Sequence, residues 1–65
     1  MFLPFENGYA VSIIETGIGV EVALLDGNGH LVYKGPMKED VVRLYNAEAL
    51  QVLLKEIANL PPIGS

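Results

Sequence analysis

The chain has no cysteine, no tryptophan, one histidine, and only four basic residues against eight acidic ones. Each shortage excludes something. Without cysteine no disulfide can brace the fold and no thiolate zinc site can form. One histidine rules out a multi-histidine metal centre within a single copy. The net charge is −4, and the bases Lys34, Lys38, Arg43 and Lys55 are scattered. They form no basic stripe that could release counterions, so no nucleic-acid partner is expected. No apolar run approaches the roughly 20 residues of a membrane span, so no membrane is expected either. The opening MFLPF is apolar but short, lacks a positive flank and runs into Glu6 and Asn7, unlike a signal peptide. The expected location is the cytoplasm.

What is present is an apolar fraction of 51% in 65 residues, enough for one small domain. A chain of this size buries only about 60% of the surface it exposes when unfolded, so modest stability is expected. Its most organised stretch is Val20 to Tyr33. Val20, Val22 and Leu24 alternate with Glu21, Ala23 and Leu25, the period of a strand. Asp26-Gly27-Asn28-Gly29 supplies turn chemistry, and His30 to Tyr33 resumes an extended pattern, which predicts a β-hairpin.

Upstream, residues 1–6 read as an N-terminal arm. It either packs Phe2 or Phe5 onto the core or docks on a second chain. Glu6-Asn7-Gly8 is a turn signal, and Tyr9 to Glu15 is rich in strand formers. Thr16-Gly17-Ile18-Gly19 then links two strands. Its Gly-x-Gly pair has no helix start and no P-loop lysine behind it, so a hairpin link explains it better than a phosphate cradle. Downstream, Gly35 and Pro36 end the third strand. Residues 37–45 fit a short fourth strand or an irregular turn of helix. Asn46 is a good N-cap. Leu50, Leu53, Leu54, Ile57 and Leu60 follow at i, i+3, i+4, i+7 and i+10, an amphipathic helix that Pro61-Pro62 must end. Residues 61–65 read as a C-terminal tail.

Short links imply antiparallel neighbours, and the helix stripe has only the sheet to cover. The predicted fold is α+β: an antiparallel sheet of three to four strands with one C-terminal helix on one face. One helix covers one face, yet both faces of these strands carry apolar residues. Such a surplus marks an interface, and Phe2, Phe5, Tyr9, Val11, Ile13 and Tyr33 are the candidate interface residues. Self-association as a homodimer, or one protein partner, would cover it.

Catalytic chemistry is hard to find. Asp26 to His30 places oxygen ligands at alternate positions, but an EF-hand loop needs glycine sixth and glutamate twelfth, where this chain has Leu31 and Met37. Ser12, His30 and Asp26 could be drawn as a triad, but geometry rather than inventory defines one. His30 reads as a solvated strand residue, and Glu39-Asp40 as a solvated charge pair or helix-start acids. No enzyme, cofactor or metal is expected.

NGYAVSII at 7–14, VALLDGNGHLVY at 22–33, EDVV at 39–42 and LLKEIANLPP at 53–62 together resemble a type of short, uncharacterised bacteriophage-encoded protein. Those proteins share an Asn-Gly-aromatic opening, an LD-x-x-G hairpin, an acidic step before two valines, and a closing helix ending in Leu-Pro. The likeness covers most of the chain, and its motifs are structural. Many such sequences carry a longer insert where this one has only Thr16 to Gly19. The resemblance implies an accessory phage protein in the cytoplasm of an infected bacterium, with no catalytic residues to carry over. The functional expectation is a small acidic interaction module that binds a host or phage protein, with inhibition as one outcome of binding. A homo-oligomeric scaffolding protein is the alternative.

Overall fold

Turn chemistry cuts the N-terminal half of the chain into short strands, and the computed structural model, which describes residues 1–64, arranges them as a meander. The strands are β1 (Phe2–Pro4), β2 (Ala10–Glu15), β3 (Val20–Leu25) and β4 (Val42–Leu44), followed by helix α1 (Ala47–Ala58). They form one four-stranded sheet in the order β1-β2-β3-β4, with every neighbouring pair antiparallel. This is the α+β architecture expected from the sequence.

Each connection has a local cause. Between β1 and β2, the Phe5 N–H donates to the Tyr9 carbonyl at 2.8 Å and the Gly8 N–H to the Phe5 carbonyl at 3.2 Å. Gly8 takes a φ of +94°, a conformation that suits glycine. Between β2 and β3, the Thr16 hydroxyl donates to the Gly19 carbonyl at 3.1 Å and accepts the Ile18 N–H at 3.3 Å. A Cβ on Gly19 would lie 2.2 Å from the Leu44 carbonyl oxygen, so only glycine lets β4 approach here. The Gly-x-Gly pair is thus a hairpin link with a steric reason for its second glycine.

After β3, Asp26 Oδ1 accepts the N–H groups of Asn28 at 2.8 Å and His30 at 3.0 Å, closing the turn. The hairpin expected over residues 20–33 then stops early. Leu31 makes a single bridge to Leu25, and the Val32 N–H donates to the Leu24 carbonyl at 2.9 Å. The chain next leaves the sheet through Gly35 and Pro36, buries Met37 in the core, and returns as β4 against Val20 to Val22. The third strand expected at residues 30–33 is therefore corrected to one bridge. Pro36 has no N–H to continue a ladder, and Val42–Leu44 take over the same edge of β3. Of the two alternatives for residues 37–45, a short strand or a turn of helix, the strand forms, as β4 over Val42–Leu44.

The arm at residues 1–6 supplies β1. Leu3 and Phe5 pack against the core, while Phe2 points away from it. Both edge strands are three residues long, β1 ending in Pro4 and β4 centred on Arg43.

The helix begins where Asn46, in an extended conformation, accepts the Ala49 N–H on its side chain at 2.8 Å. Glu48 in the first turn and Lys55 in the last suit the helix dipole. Leu53 and Ile57 enter the core with Tyr9, Val11, Ile13, Val22, Leu24 and Met37, and Leu50, Leu54 and Leu60 border it. Each such aliphatic side chain contributes about 1.5–3 kcal/mol when fully buried, so this layer carries the stability. At the far end, the Ile63 N–H donates to the Asn7 carbonyl at 3.0 Å, tying residues after the helix to the first turn.

Candidate interaction face

Strand alternation sends one set of side chains under α1 and the other set to the opposite face of the sheet. The strand register arranges that opposite face in rows. Phe2 lies across from Ser12, and Ser12 across from Ala23. Pro4, Ala10, Leu25 and Leu31 form the next row, apolar throughout. Ile14, Glu21 and Arg43 form the third.

No secondary-structure element among the described residues packs on this face. Phe2 is 63% exposed, Ile14 59% and Leu31 44%. Ala10, small and flanked by Pro4 and Leu25, is buried. The Arg43 Nε donates to Glu21 Oε2 at 2.9 Å. An exposed pair of this kind adds at most about 1 kcal/mol. It does, however, place one charge of each sign beside the apolar rows. Ile14 also borders an open groove of about 620 Å³ beside α1, where Met1, Leu3, Val20, Leu50 and Leu54 meet. Apolar surface therefore continues from the bare face around the end of β2.

The residues singled out from the sequence divide sharply. Tyr9, Val11 and Ile13 are core residues under the helix, and their assignment to an interface is corrected on that ground. Val11 is fully buried. They alternate correctly, but they lie on the face that α1 covers. Phe5 is half-buried against the core, while Phe2 and Tyr33 are exposed. Ile14, Leu25 and Leu31, which complete the bare face, were missed. Their signal was present in the alternation, but only the side chosen by the helix separates the two sets.

The polar candidates stay apart from that face. The His30 ring lies 3.8 Å from the Asp26 carboxylate at the tip of the turn, and no hydrogen bond among the described residues joins Ser12 to either. Backbone N–H groups, that of His30 first and that of Asn28 next, hold the Asp26 carboxyl below its ordinary value. The Tyr33 hydroxyl donates to the Asp40 carboxylate. That bond, with the adjacent negative charge, raises the Tyr33 phenol above its ordinary value. Together Tyr33 and Asp40 clasp the base of the excursion that carries Met37. Among the described residues, no group of three histidine, cysteine, aspartate or glutamate side chains could hold a metal ion, and no helix is long and apolar enough to cross a membrane.

No protein-family model, no curated protein and no solved structure matches the chain.

Proposed function

We propose that this chain is a small acidic protein-interaction module that docks through the sheet face opposite its helix. The single observation that supports this reading is the apolar row Pro4–Ala10–Leu25–Leu31 on the helix-free face, with exposed Phe2 in the next row and exposed Ile14 in the row beyond. A contiguous apolar surface on so small a body is characteristic of a contact site. The net charge of −4 favours encounter with a basic partner. The likeness to short phage-encoded proteins suggests that the partner is a host or phage protein in the bacterial cytoplasm, and that binding blocks it.

A second reading is a homodimer, and one observation favours it. The bare face carries both Glu21 and Arg43. A two-fold-related copy would meet each charge with its opposite, as an isologous interface requires. The area is small for this purpose. Four strands about 4.8 Å apart and about five residues long give a flat area of only roughly 300 Å². A standard interface buries about 800 Å² on each side. A different partner can extend its contact onto neighbouring apolar surface, so the module reading stands first.

The test compares the wild-type chain with a Phe2→Lys/Ile14→Lys variant, by light scattering and by tagged capture from bacterial lysate. A stoichiometric partner held by the wild type and lost by the variant supports the module. A wild-type dimer that becomes a monomer in the variant supports self-association. Identical mass and identical captured proteins for both chains overturn the use of this face.

A further inference from the structure

The chain contains two Asn-Gly pairs, Asn7-Gly8 and Asn28-Gly29, both in turns. Such a pair can react without an enzyme. The glycine backbone nitrogen loses its proton and attacks the asparagine Cγ, the side-chain amide leaves as ammonia, and a cyclic imide forms. Water then opens the ring to aspartate or isoaspartate. Glycine favours the attack because no side chain hinders it.

The two turns match in backbone and differ in the side chain. The Gly8 N–H donates to the Phe5 carbonyl at 3.2 Å and the Gly29 N–H to the Asp26 carbonyl at 3.1 Å. Both glycines have positive φ, +94° and +81°. Asn28 is exposed, and among the described residues no hydrogen bond holds its side chain. Asn7 is held on every side. Its Nδ2 donates to the carbonyl oxygens of Ile57 at 2.8 Å and Leu60 at 3.2 Å, with Ala58 at 3.4 Å. Its Oδ1 accepts the Tyr9 N–H at 3.1 Å. These carbonyls belong to the last turn of α1 and the residues just beyond it, where the helix itself supplies few donors. Asn7 thus caps the end of a helix some 50 residues away in the chain.

We propose that Asn7 is a deamidation site gated by the fold, and that reaction there prevents the helix from docking again. In the closed molecule the leaving amide is fixed by its carbonyls, and Cγ cannot turn towards the Gly8 nitrogen without breaking them. Separation of Asn7 from the helix end frees it. Once formed, the carboxylate has no N–H to donate and sets a negative charge against oxygens at the negative end of the helix dipole. The isoaspartate product also lengthens the backbone at a turn. Time spent open is therefore recorded covalently, and the record favours further opening. None of this depends on what covers the sheet face.

Peptide mapping by mass spectrometry tests the proposal on the intact chain, held in mildly alkaline buffer with and without denaturant. In buffer alone, Asn28 gains one mass unit while Asn7 reacts at least about 100-fold more slowly, as expected if fewer than about one molecule in a hundred is open. In denaturant both react at comparable rates. Reaction of Asn7 at the Asn28 rate in the folded chain overturns the gating, as does an inert Asn7 in denaturant. Asn7→Asp reproduces one product and is expected to melt clearly below the wild type, whereas Asn28→Asp melts with it. An Asn7→Asp chain that melts with the wild type overturns the block on docking.

Discussion

The two faces of the sheet are built from similar residues and meet different fates. Val11, Ile13, Val22 and Leu24 are buried, while Ile14, on an alternate position of β2, and Phe2, on the neighbouring β1, are mostly exposed. The difference lies in what the chain supplies to cover them. A 12-residue helix is about 18 Å long and about 10 Å across, enough to lie over the middle of one sheet face and none of the other. One face is thus a core, and the other a surface on which apolar residues stand beside Ser12, Glu21 and Arg43. An apolar residue in a strand pattern does not by itself say which face the chain will cover.

Substitutions at the centre of the covered face should have the largest effect. Ile57→Ala should cost about 2–5 kcal/mol. With a total stability of only about 5 kcal/mol, that removes most of the cooperative transition followed by circular dichroism on heating. Leu53→Ala should behave similarly, and Leu54→Ala, at the core's border, should cost less. Wild-type melting of Ile57→Ala would place the core elsewhere and break the comparison. Asn7→Ala comes next, at about 1–3 kcal/mol, because it takes the side-chain donor from the Leu60 carbonyl and leaves the Ile57 carbonyl only the Leu60 N–H. Urea denaturation would show this as a lowered midpoint.

On the bare face the sign of the argument reverses. Phe2→Lys and Ile14→Lys should each change stability by no more than about 0.5 kcal/mol, while any association through that face is lost. A large loss of folding in either variant would mean that the face is covered within the chain.

Smaller effects belong to the ionisable groups. The Asp26 carboxyl is lowered on folding, so its contribution is complete above the ordinary carboxylate range and disappears as pH falls through the folded value. Asp26→Asn should flatten that part of an acid titration. For Tyr33 the shift is upward. Its contribution is present below the ordinary phenol value near 10 and is lost as pH rises through the folded one. In Asp40→Asn, the tyrosinate absorbance of Tyr33 should appear at lower pH than in the wild type. His30→Ala should be nearly silent in melting experiments, since its side chain is 77% exposed.

The helix was readable residue by residue because its determinants are local: an Asn46 cap, a leucine stripe and a double proline. The strands β2 and β3 were readable for the same reason. What the sequence concealed depends on distant partners. Residues 30–33 have strand chemistry but lose their neighbour to Val42–Leu44, a competition that no local window contains. Phe2–Pro4 is too short and too proline-marked to read as a strand, and becomes one only because β2 offers an edge. Asn7 reads as an ordinary turn residue, since the carbonyls it caps lie at the other end of the chain. The candidate face was half legible: the surplus of apolar residues was evident, but the side the helix would take was not.

The sheet's short margins matter for a protein with a bare apolar face. Two molecules that stick by such faces are held close, which is how ordered aggregates begin. Growth into a fibril needs a long free strand on which backbone pairing can continue. Here one margin ends in Pro4, which has no N–H to offer, and the other is three residues with a charged Arg43 at its centre. Any contact made through the face would therefore stay a meeting of side chains, which the backbone has no free strand to extend into a continuous ladder.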